Sequence, residues 1–84
     1  MAVGINDFKI INEVVTGVVR VTVDTQFNNI NADVVTVSAN VNARLFGDIK
    51  EKLVLKKGSK VFLHGVVFGN VENEGGELHV FARK

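Results

Sequence analysis

Among the 84 residues, the side chains best suited to recognition chemistry are two phenylalanines and the cations around them. Phe46 follows Asn42 and Arg44 on the polar phase of an alternating run, and Phe62 is out of phase with Val61 and Leu63. An outward ring offers its face to a nucleobase, each stacked base being worth about 1 to 3 kcal/mol. Arg44 and Arg20 carry guanidinium groups that pair with phosphate or stack on a base. Lys56, Lys57 and Lys60, together with Lys50 and Lys52, put five lysines within eleven residues and would extend a phosphate track. Each feature also has a plainer use: Phe46 as a cap over a core, Phe62 as a subunit contact, the lysines as the solvated end of a helix.

Nothing in the sequence assembles into a catalytic set. His64 and His79 have no cysteine to join them, and a zinc site wants three or four ligands. Gly65, Gly69, Gly75 and Gly76 precede neither a helix start nor a lysine-serine pair, so they read as turn and bulge glycines and not as a phosphate loop. The expectation is a binding protein with no enzyme activity, no cofactor and no metal.

The elements that must hold these residues read as strands over most of the length, because valine dominates, glycines punctuate the chain and proline is absent. Between Val34 and Phe46, Val35, Val37, Ala39, Val41, Ala43 and Leu45 alternate with the other phase, predicting one long strand. Val19, Val21 and Val23 predict its neighbour, with Asn28, Asn29, Asn31 and Asp33 as the hairpin loop between them. A further strand is expected from Phe8 to Val15. From Gly47 to Gly58 the spacing of Ile49 and Leu53 predicts a short helix, with Asp48 as its cap, Glu51 three residues on, and Gly58 as its stop. Val61 and Leu63 open a fourth strand with a bulge at Gly65, and a turn at Asn73 to Gly76 leads to a last strand through Leu78 and Val80. Three strands, a short helix and a two-strand hairpin are the element order of an all-β fold, the five-stranded Greek-key OB-fold barrel with one short helix between strands 3 and 4, as one domain over 1–84. An SH3-like barrel is the competitor, and it has no helix at that position.

Charge and composition set the remaining bounds. The net charge is only +1, so the lysine run and the later Glu72, Glu74 and Glu77 imply a polarised surface. A chain this short, with no disulfide, has a thin margin of stability, and self-association as a dimer or tetramer is the expected support. With no cysteine, no signal-like segment and no apolar stretch near eighteen residues, a cytoplasmic protein without membrane contact is expected.

Leu45, Phe46 and Gly47, then the expected helix, then Leu55, Lys56, Lys57, Gly58, Ser59, Lys60, Val61, Phe62, Leu63, His64 and Gly65 give the chain a resemblance to bacterial single-stranded DNA-binding protein over roughly half its length. The resemblance implies an OB-fold that coats single-stranded DNA during replication or recombination with little sequence preference. By it, Phe46 matches the phenylalanine on which a base stacks, Phe62 an aromatic near the bound strand, and Glu72 to Glu77 the hairpin between strands 4 and 5. Asn40 stands near the place of one of the family's tryptophans, and Arg83 and Lys84 stand where an acidic tail would be, as in a reduced phage, plasmid or primosomal variant. The alternatives are an RNA-binding OB-fold module, and a protein-interaction or assembly module that binds no nucleic acid.

Overall fold

The computed structural model describes residues 8–81, and within them every regular element is a β-strand. Seven strands follow in order: β1 (Lys9–Ile11), β2 (Val15–Val21), β3 (Thr25–Val37), β4 (Asn42–Leu55), β5 (Lys60–Val67), β6 (Asn70–Asn73) and β7 (Glu77–Val80). All of the pairings are parallel. Parallel neighbours need a long connection between them, and here that connection is one full circuit of the chain. Thr25 pairs with Ala43, Ala43 with Val61 and Val61 with Leu78, so each circuit returns after seventeen or eighteen residues one strand-width higher. The result is a β-solenoid of about four coils.

Register shifts at Gly17/Val18 and at Phe27/Ile30 and Ala32/Val34 mark the corners and divide a coil into three sides. In the coil of β4 the first side runs from Asn42 to Phe46, the second from Gly47 to Ile49 and the third from Lys52 to Leu55. Alternation on each side sends one set of side chains into the coil axis. Phe27, Leu45 and Leu63 form one inward column, Val35 and Leu53 another, and Val37 and Leu55 a third; all are at most 4% exposed. Most of these stacked aliphatic side chains are cut off from water, and they constitute the core.

The corner between the third side and the next coil also repeats as a column. Asn40, Gly58 and Gly75 all take positive φ, at 62°, 78° and 107°. Asn40 N–H donates to the Lys57 carbonyl and Gly58 N–H to the Gly75 carbonyl, at 3.1 and 3.0 Å. Asparagine and glycine are the residues that reach this left-handed region at low cost, which is why they occupy the tightest turn. At the corner after the first side the limit is space: a Cβ on Gly47 would overlap the Ile30 carbonyl oxygen, and one on Gly65 would overlap that of Gly47.

This architecture replaces the five-stranded OB-fold barrel. No helix lies among the described residues, and 47–58, expected as the helix, is the second and third sides of β4 and the corner beyond. The spacing of Ile49 and Leu53 arises because a corner lies between them, so both point inward from different sides of one coil. Residues 28–33, expected as a hairpin loop, are strand inside β3, with Ile30 and Ala32 buried. The long strand expected from Val34 to Phe46 is interrupted at Ala39 and Asn40 by the left-handed corner. A Greek key demands antiparallel neighbours, and none occurs among the described residues. Arg83 and Lys84 lie outside the described residues.

Candidate functional site

The outward positions of the first side gather most of the chemistry-bearing residues. On this side the chain's parallel register places Gln26, Arg44, Phe62 and His79 in one column and Phe46 and His64 in the next, with Phe81 beyond His64. Arg44, Phe46 and Phe62, singled out from the sequence, thus share one face, together with two histidines given no role there. The coil pitch dictates how their rings meet. Neighbouring strands lie about 4.8 Å apart, close to the thickness of an aromatic ring contact, so rings at equivalent positions lie flat on one another.

Phe46 and His64 are stacked with centroids 4.4 Å apart, His64 and Phe81 at 4.5 Å, and Phe62 and His79 at 5.1 Å. Both faces of His64 are therefore taken by phenylalanine, and Phe46 and Phe62 each give one face to a histidine. The rings turn their edges outward. A base approaching from solvent meets those edges, and intact faces remain only at the ends of each stack.

Arg44 and three of the lysines are engaged as well. Arg44 Nη1 donates to Gln26 Oε1 at 3.2 Å, and its guanidinium carbon lies 5.2 Å from the centre of the Phe8 ring. Lys52, Lys56 and Lys60 sit one coil below Glu72, Glu74 and Glu77 and pair with them at 3.8, 3.1 and 3.6 Å. The basic run and the acidic segment are adjacent coils, so the expected polarised surface is instead a row of opposite charges about one strand-width apart. Lys57 stands exposed at the left-handed corner. Asn42 is held by Asp24, whose Oδ1 accepts its backbone N–H at 2.8 Å.

Arg20 is on the third side, away from Arg44. With Thr36, Val54, Lys56, Glu72 and Glu74 it lines an open lateral groove of about 470 Å³. Among the described residues no group of three His, Asp or Glu side chains is placed to hold a metal ion, and no helix is long and apolar enough to cross a membrane.

The feature that sequence reading missed is the open last coil. Leu63, Gly65, Val66, Val71, Leu78 and Val80 line an apolar groove of about 450 Å³ there. Val71 and Val80 occupy inward columns yet are 44% and 55% exposed, because no further coil lies over them among the described residues. Comparison with protein-family models, curated proteins and solved structures found no match.

Proposed function

We propose that this chain is an assembly module: a short β-solenoid that takes up further β-strand on an open end coil and so builds larger structures edge to edge. The observation that carries the reading is the C-terminal coil. Strand β6 pairs only with β4 and β7 only with β5, leaving the other edge of each without a strand among the described residues. Unpaired strand edges beside apolar side chains are templates for pairing with another chain. Here the edge strands pair in parallel, the geometry that joins every coil to the next.

The alternative of single-strand coating has less support. Its helix and hairpin are strand and coil corner, Lys56 and Lys60 of its phosphate track are paired with glutamates, and its rings stack on histidines. Sedimentation velocity of the full chain over a range of concentrations tests the proposal, with Val80→Lys as comparison and labelled oligo-dT added in a parallel series. Concentration-dependent growth that Val80→Lys suppresses, indifferent to oligo-dT, is the expected result. A monomer at every concentration that binds oligo-dT, and loses it with Phe46→Ala, would return the chain to nucleic-acid binding.

A further inference from the structure

The C-terminal end of the solenoid is a step. On the first side β7 lies over β5, whereas residues 65–67 on the second side and β6 on the third pair only with the coil below. Among the described residues the last layer is thus present on one side and missing on two. A folded copy lowered onto this end meets β7 first and stops one strand-width short of β6. What fits the recess is a single extended segment, bent once, whose nine residues match 65–73.

We propose that this recess binds one extended basic segment of another protein chain, aliphatic on its inward side and arginine or lysine on its outward side, as a parallel strand that completes the last coil. This rests on the strand-uptake reading above and adds where on the end coil the strand seats and which chemistry it carries.

The recess dictates that chemistry position by position. Its floor is the free edge of 65–67 and 70–73, a row of N–H and C=O groups with no strand over them among the described residues. Its inner wall is apolar, built from Val67, Val71, Leu78 and Val80. Aliphatic side chains at the third and seventh places of the segment would continue the inward columns of Ile49 with Val67 and of Leu53 with Val71. The first place follows Gly47 and Gly65, where a Cβ would overlap the carbonyl oxygen of the layer below, so glycine belongs there as well.

The outward face selects by charge. Lys52 and Lys56 of one coil pair with Glu72 and Glu74 of the next, so sign alternates from layer to layer and the rim of the recess is left acidic. An arginine or lysine at the eighth place stands over Glu72 and extends the alternation. An acidic residue there would face a like charge, which opposes association.

The probe is a labelled nine-residue peptide with glycine first, valine third and seventh, arginine eighth and threonine elsewhere, titrated with the full chain and read by fluorescence anisotropy. A matched peptide with glutamate at the eighth place should bind about fivefold more weakly, and Glu72→Arg should reverse the order of the two. Val71→Lys, at an exposed position and checked for native circular dichroism, should weaken the arginine peptide by about tenfold or more. Equal binding of both peptides, an order unchanged by Glu72→Arg, or binding indifferent to Val71→Lys would overturn the proposal. If neither peptide binds while the chain still grows in sedimentation and Val80→Lys suppresses that growth, the recess is wrong and assembly through β7 stands. If neither peptide binds and the chain stays monomeric, both readings have failed.

Discussion

The imidazole of His64 lies parallel to the ring of Phe46, the planes only 5° apart and the centroids 4.4 Å. Neither residue is near the other in sequence; one turn of the coil separates them. On its other side His64 meets Phe81 at 4.5 Å, so a single imidazole joins three coils.

Replacing His64 by alanine therefore removes two stacked contacts. At about 0.5 to 1.5 kcal/mol each, the expected loss is about 1 to 3 kcal/mol in urea unfolding. A double-mutant cycle with Phe46→Ala should return a coupling of about 1 kcal/mol; additive single losses would mean that the stack holds no energy of its own.

The glycine column sets a steric limit. Gly65→Ala places a methyl on the Gly47 carbonyl oxygen, and we expect a loss of about 3 kcal/mol or failure to fold. Gly17→Ala is the control: its φ of 81° is unfavourable for alanine, but nothing lies within 4 Å of the new Cβ. It should cost about 1 kcal/mol. Thermal melts of both variants separate crowding from backbone strain.

At the left-handed corner, Asn40→Gly should be neutral or stabilise by about 0.5 kcal/mol, and Asn40→Ala should destabilise by about 1 kcal/mol. Gly58→Ala costs more than backbone strain alone, because its Cβ would run into the Asn40 side chain. That excess should fall in the Asn40→Gly background. Denaturation midpoints of the four variants check this.

The ion pairs between coils are exposed and should matter little. Lys56→Ala or Glu74→Ala, which breaks the 3.1 Å pair, is expected to cost about 0.5 kcal/mol, with the difference vanishing at high salt. A melting comparison at low and high ionic strength reads it directly.

Much of the core was legible from alternation alone. Val35, Val37, Val41, Ala43, Leu45, Val61 and Leu63 were expected inward and are buried. Ala39, expected in the same inward series, is exposed at the corner, and the inward phase resumes at Val41 because the turn from Val37 to Val41 preserves the two-residue count. The helix did not survive, since a coil corner also places apolar residues four apart, and local chemistry at Asp48, Glu51 and Gly58 looks alike in both settings. What would have separated them is the longer period. Phe27, Leu45, Leu63 and Val80 recur at eighteen, eighteen and seventeen residues, and Asn40, Gly58 and Gly75 keep the same interval. The repeat is weak because outward positions need not resemble one another. For the same reason the outward placement of Arg44, Phe46 and Phe62 could be read from phase, whereas their partners could not: Phe46 meets His64 only through the coil pitch.

A coil touches only the coils directly above and below it, so the chain can grow by whole increments. Duplicating residues 42–59 would return every later side chain to its former column and insert one more layer, whereas adding a single residue before Leu53 would turn Leu53 and Leu55 out toward water. Length in this protein is a quantity counted in layers, and tolerance to insertion should rise and fall with the same count.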